Sequence, residues 1–257
     1  VLELQGLEAV AERYKNKKPD NFSALLLGES GTGKTLMLKS LPGSTLIHSF
    51  DPTGAVTLRK YVDKQEMLID DKWEDSNIRK PLANEWYKAF QMLIRNKVFD
   101  NIDNYVIDSY TFFSQMYIDQ IKNDNNRSKF QLQDWGELGG LIKDVLKECC
   151  ALKCRFILTA HIVPIEETLP DKSKRIVGHT ILANPKLQLH IPALFSEIYC
   201  LTTKTVGKEI VREILTDRWR NYIAKTRLGE GGVFDLFEKP DFTYLLNKLK
   251  SKGALKE

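Results

Sequence analysis

Eight consecutive residues constrain this chain more than anything else in it. Gly28-Glu29-Ser30-Gly31-Thr32-Gly33-Lys34-Thr35 fills every fixed position of the pattern G-x-x-x-x-G-K-[ST]. Such a run works between a strand and a helix, and its neighbours agree. Ala24 to Leu27 is a short apolar run suited to a buried strand, and Leu36 to Leu41 reads as helix until Pro42-Gly43 stops it. The glycines at 28, 31 and 33 let the backbone curl and turn successive N–H groups inward, and the helix start adds the positive end of its dipole. That cradle suits the phosphates of a nucleoside triphosphate, so Gly28, Glu29, Ser30, Gly31, Thr32, Gly33, Lys34 and Thr35 are the expected nucleotide-binding residues. Lys34 is placed to reach the β and γ oxygens, and Thr35 to put a hydroxyl on Mg²⁺. Glu29 is unusual company for phosphate, and its side chain is expected to point outward or toward a protein partner. The competing reading is a glycine turn before a helix, with no ligand.

The 257 residues, 42% of them hydrophobic, suffice for one α/β domain with a substantial core. The net charge of +4 permits contact with nucleic acid but hardly argues for it. Cys149, Cys150, Cys154 and Cys200 form no paired C-x-x-C motifs and read as reduced core thiols. No apolar run reaches transmembrane length, and Val1-Leu2-Glu3-Leu4 is not a basic region ahead of a signal core. A soluble protein of the cell interior, with no membrane partner, is the expectation.

Strands and helices alternate along the chain. Thr45 to Phe50 reads as a strand closed by the turn Asp51-Pro52-Thr53-Gly54. Tyr61 to Trp73 is highly charged and ambiguous. Leu82 to Val98 is helical, with Trp86, Phe90, Leu93, Ile94 and Lys97 near one face and the aromatic pair read as core. Tyr105-Val106-Ile107-Asp108 is a buried strand ending in an acid, followed by a helix through about Ile121. Trp135 to Lys153 is a second amphipathic helix, packed through Leu138, Leu141, Ile142, Val145 and Leu146. Phe156 to His161 is strand-like and runs into a polar segment, Val163 to Lys186, too long to be a casual connection. A helix leading into a strand is expected over Leu187 to Leu201. Ile210 to Thr216 and Tyr222 to Lys225 read as a strand pair around a turn, and Phe242 to Leu249 as a short helix. The expected fold is one α/β nucleotide-binding domain, doubly wound through its first half and edged by antiparallel strands late. Residues 21–238 form its core, 1–20 an N-terminal extension, and 239–257 a C-terminal helix and tail.

Two further positions carry chemistry. An acid at the end of a buried apolar strand would be costly unpaired, whereas Mg²⁺ and Thr35 supply counter-charge and hydrogen bonding, so Asp108 is the expected metal residue alongside Thr35. The alternative is Asp108 as N-cap of the following helix. Thr159-Ala160-His161 ends the next strand, where neighbouring parallel strands deliver their C-terminal ends to one crevice, and His161 is expected to sense the γ-phosphate or orient water. The alternative there is a polar strand cap. His48 lies inside a strand pattern and reads as packed.

Together, Gly28 to Thr35, Phe50-Asp51, Val106-Ile107-Asp108-Ser109, Asp134-Trp135-Gly136, Thr159-Ala160-His161 and Lys225-Thr226-Arg227 resemble the motifs of phage-type AAA/RecA-like ATPases associated with single-strand annealing and recombination. The likeness spans roughly residues 20 to 230. It implies a RecA-like P-loop NTPase fold, a mainly parallel central sheet flanked by helices with late antiparallel edge strands. It also implies DNA-dependent ATP hydrolysis with Mg²⁺, a homo-oligomeric ring or filament on single-stranded DNA, and a phage or prophage protein in the bacterial cytoplasm. Lys225 and Arg227 resemble the K-x-R element that reaches a neighbouring subunit's nucleotide, Arg227 as an arginine finger; a solvated strand face is the alternative. Val163 to Lys186 stands where RecA-like proteins carry a DNA-contacting loop, which makes Lys172, Lys174 and Arg175 the expected phosphate contacts, against the opposing charge of Glu166, Glu167 and Asp171.

One position departs from the pattern. RecA-like recombinases place a catalytic glutamate about two residues after the acid of the second strand, and Thr53 stands there. Either Asp51 then does the base work or hydrolysis is slow; with Asp51 as base, the expected catalytic set is Lys34, Asp51, Asp108, His161 and Arg227. A packaging or motor ATPase, a nucleotide-switched adaptor and a small-molecule kinase are the competing classes, the last disfavoured because no compact arginine-rich lid is visible.

Overall fold

The computed structural model describes residues 22–64, 67–77 and 82–255, so the expected extension over 1–20 lies outside the described residues. The fold is built on the alternation of its buried strands. β1 (Ser23–Gly28), β2 (Thr45–Ser49), β3 (Met67–Asp70), β4 (Asn104–Asp108), β5 (Arg155–Thr168) and β7 (Glu197–Val206) lie in the order β7-β1-β5-β4-β2-β3, each parallel to its neighbour. Successive side chains leave opposite faces of such strands. Leu25, Leu27, Tyr105, Ile107, Phe156 and Leu158 therefore join one core, and Ala24, Leu26, Val106 and Ile157 the other.

The first core is covered by α2 (Ala83–Arg95), α3 (Tyr110–Asp124), α4 (Asp134–Cys150) and α5 (Pro185–Leu194). The second is covered by α1 (Lys34–Met37), the 3₁₀ turn Leu38–Ser40 and α6 (Phe242–Ser251), whose Phe242, Leu245, Leu246 and Leu249 are buried. The C-terminal helix is thus part of the core. Trp86 and Phe90 are core, as expected: they stack at 5.2 Å, and Phe113 meets Trp86 edge-on at 4.8 Å. His48 is packed too. It accepts from the Trp86 indole N–H at 2.9 Å through Nδ1, and burial lowers its pKa to about 3, so it is neutral. The four cysteines are free thiols, and burial pushes Cys150, Cys154 and Cys200 up to about 12.

β8 (Glu209–Leu215) and β9 (Lys225–Thr226) both pair antiparallel with β7, and β10 (Phe237–Glu238) pairs with β8. The expected pairing of Ile210–Thr216 with Tyr222–Lys225 is therefore wrong. β9 lies against Glu197 and Ile198, β8 against Cys200 to Val206, so the two strands sit end to end along one edge. The free edge of β7 outcompetes the local hairpin, which keeps only the bridge between Trp219 and Tyr222.

The polar segment after His161 is not a loop. β5 continues to Thr168 and pairs antiparallel with β6 (Lys174–Ile181), forming a long hairpin whose outer half is exposed. Its strands alternate weakly because both faces meet solvent there, which hides a strand from a pattern search. Smaller corrections have local causes. The first helix ends at Met37 and tightens to 3₁₀. Lys97 stands beyond the end of α2 with φ 55, off the face assigned to it. Leu141 of α4 is 40% exposed rather than packed. β3 lies inside the ambiguous stretch, recruited by pairing with β2.

Candidate nucleotide site

Strand register brings the site together. Gly28 ends β1 in register with His161 of β5, and Asp108 ends β4 in register with Ser49 of β2. The loop from Gly28 to Thr35 thus opens at the carboxyl edge of a parallel sheet, where such folds bind ligands. Gly33 holds φ 100, and a Cβ there would meet the Arg212 side chain at 3.2 Å. Only glycine takes that backbone without strain. Thr32 Oγ1 donates to the Glu29 carbonyl at 2.9 Å and pins the loop, while the Glu29 side chain is exposed, as expected.

Lys34 reaches back across the loop, its Nζ donating to the Gly28 and Glu29 carbonyls at 3.0 and 2.8 Å. Burial lowers its pKa, and Asp108 and Asp51 pull it back up. Asp108 is 2% exposed. Thr35 Oγ1 donates to its Oδ2 at 2.8 Å, and Thr159 Oγ1 donates to its Oδ1 in a short contact. Burial raises the Asp108 pKa, opposed by those two hydroxyls and by Lys34. The capping alternative for Asp108 fails: Ser109 occupies the N-cap position of α3, and both Asp108 oxygens are engaged elsewhere.

Asp51 lies just beyond β2. Burial raises its carboxyl from the ordinary 3.8 to about 6, with Asp108 and Glu74 adding to the rise and Lys34 opposing it. Glu74 is a residue that sequence reasoning missed. It accepts from Ser49 Oγ at 2.6 Å, Thr53 N at 2.8 Å and Ala55 N at 3.2 Å, which fixes the turn carrying Asp51. His161 bonds through Nδ1 to Thr111 Oγ1 at 3.0 Å, and burial followed by Lys34 lowers its pKa to about 4.

Lys34, Thr35, Asp51, Asp108 and His161 line an open pocket of about 300 Å³ that also includes Ser30, Gly31, Thr57 and Arg212. Arg212 arrives from β8, nearly 180 residues after the loop. No local motif marks it; only the pairing of β8 with β7 brings it there. A larger groove of about 440 Å³ beside β3 is lined by Leu46, Leu68, Ile69 and Leu93 and carries no phosphate-binding group, so chemistry rather than size places the site. Among the described residues no cluster of three or more His, Cys, Asp or Glu side chains suits a metal. One hydroxyl and one carboxylate do fit Mg²⁺, which takes few protein ligands and completes its shell with water and phosphate oxygens.

The other expected residues lie outside this pocket. Lys225 Nζ donates to the Pro192 carbonyl at 3.0 Å, and Arg227 Nη2 to the Ala193 carbonyl at 3.3 Å, both at the C-terminal end of α5. Lys174 pairs with Glu166 at 2.7 Å and Arg175 with Glu167 at 2.9 Å across the exposed hairpin, while Lys172 sits in its turn with φ 66. Asp134 is buried and binds Arg127 at 2.9 Å and the Gln131 N–H at 2.7 Å, a brace ahead of α4. Among the described residues no helix is long and apolar enough to cross a membrane.

No curated protein matches the chain. Many solved structures resemble it, among them two distant likenesses. A KaiC-like protein from the hyperthermophilic archaeon Pyrococcus horikoshii OT3 is 15% identical over 77% of this chain and 79% of that one, with a TM-score of 0.44. The flagellar accessory protein FlaH from Methanocaldococcus jannaschii is 14% identical over 84% and 83%, also at 0.44. Neither likeness is close enough to carry an argument. The sequence itself matches the AAA domain family over residues 20–228, which takes in the phosphate loop and every strand of the parallel sheet. The chain therefore belongs to the AAA domain family and is a P-loop NTPase of RecA-like architecture.

Proposed function

We propose that the chain binds ATP with Mg²⁺, hydrolyses it, and uses the cycle as a motor or nucleotide-switched adaptor. The observation that carries this reading is the 2.8 Å contact between Thr35 and Asp108 beside Lys34, a hydroxyl, a carboxylate and an ammonium gathered at the mouth of the phosphate loop. Bound there, Mg²⁺ supplies charge neutralisation at the β and γ oxygens. Lys34 adds a second positive charge. Asp51, with a pKa of about 6, is ionised at neutral pH yet basic enough to accept a proton from the attacking water. Neutral His161, held through Nδ1 by Thr111, lines the same pocket. Arg212 offers a cation from the same chain.

The motor or adaptor reading rests on continuity. β5 carries Thr159 and His161 at the site and continues, through a register irregularity between Ile165 and Glu166, into the exposed hairpin, which offers a route for a shift at the site to reach the hairpin. Assembly into a homo-oligomer is part of the proposal, with the exposed Arg227, held by one long bond, as the group offered to a neighbour. Single-stranded DNA is left out, because Lys174 and Arg175 are already matched by Glu166 and Glu167. The test is ATP turnover by the purified protein with and without Mg²⁺, in wild type and Lys34→Ala, alongside sizing with a non-hydrolysable analogue. Magnesium-dependent turnover that disappears in K34A supports the reading, and equal turnover in K34A refutes it.

A further inference from the structure

β7 outruns the strand that leads into the phosphate loop. Gly28, the last residue of β1, lies level with Leu201, and β7 continues through Thr202 to Val206 before Gly207, at φ 63, turns the chain into β8. The β7–β8 hairpin therefore stands beyond the carboxyl edge of the sheet, beside the loop. Thr203, the second residue past Leu201, pairs with Arg212, which sets Arg212 roughly 7 Å beyond the level of Gly28 at ~3.3 Å per residue. Its side chain reaches the loop. The Arg212 Cδ and Nε each lie 3.2 Å from where a Cβ on Gly33 would stand, and the residue lines the nucleotide pocket.

Nothing on the hairpin claims this charge. Successive side chains of a strand leave opposite faces, so Arg212 shares its face with Ile210, Thr203 and Thr205, while Glu213 faces the other way and pairs with Lys204 at 2.5 Å. On the other hairpin Lys174 and Arg175 are matched by Glu166 and Glu167. Among the described residues no carboxylate pairs with Arg212. A guanidinium free of carboxylates and laid beside a phosphate loop offers a planar fork to phosphate oxygens.

Its place in the pocket decides which phosphates it meets. A loop of this kind cradles the α- and β-phosphates with its backbone N–H groups, and the γ end is marked by the lysine tip and the metal. Arg212 meets the loop beside Gly33, on the cradle itself. Its charge is not felt at the γ end: Asp108, Lys34 and Glu74 are the charges that act on Asp51, and Lys34 is the one that acts on His161.

Granted nucleotide binding at the loop, as proposed above, we propose that Arg212 grips the α- and β-phosphates from within its own chain and makes the β7–β8 hairpin a sensor of nucleotide occupancy. ATP and ADP both present that diphosphate, so hydrolysis leaves the contact in place and product release breaks it. The hairpin is held while either nucleotide is bound and freed when the site empties.

Two measurements test this: titration calorimetry with ADP and with a non-hydrolysable ATP analogue, Mg²⁺ present throughout, and hydrogen–deuterium exchange over residues 202–213. Arg212→Ala should weaken both nucleotides alike by about tenfold, the loss of one charge-assisted contact. Arg212→Lys should recover only part of that, since an ammonium lacks the guanidinium's fork. In wild type the hairpin amides should exchange more slowly with ADP as with the analogue, and in R212A the slowing should be lost even at saturating nucleotide. Circular dichroism checks that each variant is folded, and Lys34→Ala controls for the loop itself. Binding lost in K34A but unchanged in R212A would overturn the role of Arg212 and leave nucleotide binding standing, whereas no binding by wild type would remove both. A loss in R212A confined to the ATP analogue, hairpin exchange indifferent to ADP, or slowing that persists in R212A would also overturn the sensor.

Discussion

Replacing Asp51 by Asn tests the electrostatics of the site without disturbing its shape. The folded carboxyl titrates at about 6 against an ordinary 3.8, because it is partly buried and faces Asp108 and Glu74, with Lys34 opposing. A pKa raised by folding means that the folded state holds the proton more tightly than the unfolded state. The associated stability is present below about pH 4 and is lost as pH rises through 6. A rise of roughly two in pKa corresponds to about 3 kcal/mol at the limit, and solvent access to the side chain reduces this to about 1 kcal/mol. Urea unfolding of wild type and D51N at intervals from pH 4 to 8 reads it directly. The wild-type curve should fall relative to D51N by about 1 kcal/mol between pH 4 and 6, leaving the variant the more stable at neutral pH. The same group governs chemistry in the proposed function: turnover of wild type should rise with pH through about 6, and D51N should lose that limb. Parallel stability curves for the two proteins would refute the reasoning, since they would mean that Asp51 titrates alike folded and unfolded.

Asp108→Asn keeps the size of the buried group and removes a charge whose pKa is raised by burial, so magnesium-dependent turnover should fall by about 10²-fold or more while the urea midpoint at neutral pH holds or rises. Unchanged turnover and magnesium dependence would remove Asp108 from the site. Arg212→Ala should weaken nucleotide affinity by about tenfold in equilibrium titrations and leave unfolding unchanged, because the residue is exposed on β8 and its side chain lines the pocket beside Gly33. Arg227→Ala should bind ATP nearly normally yet turn it over poorly, and mixing it with K34A should restore part of the activity wherever an intact loop meets an intact finger. Wild-type turnover in R227A, or no recovery in mixtures shown to co-assemble, would leave Arg227 as a cap on α5.

Sequence and structure agree where the information is local. The loop from Gly28 to Thr35 and the acid closing Tyr105 to Asp108 are readable because each needs particular residue types at fixed spacing on one stretch of backbone. The Thr35 to Asp108 contact then follows, since parallel strands end at one edge. His161 was found by the same rule. Thr159 was noted only as its neighbour, although it donates to Asp108.

Strand pairing was another matter. Whether Ile210 to Thr216 pairs with the strand after it or with β7 depends on which edge is free, and an edge is a property of the assembled sheet. Val163 to Lys186 looked like a loop because a hairpin that projects into solvent has no buried face to impose alternation. Glu74 and Arg212 reach the site from a short 3₁₀ segment and an edge strand, with no motif of their own. The sequence alone determined the ligand class and the sheet that presents it, because backbone curvature and apolar runs are written in neighbouring residues. Tertiary structure alone decided which distant charges surround that ligand, because long-range pairing and burial set their distance and their pKa.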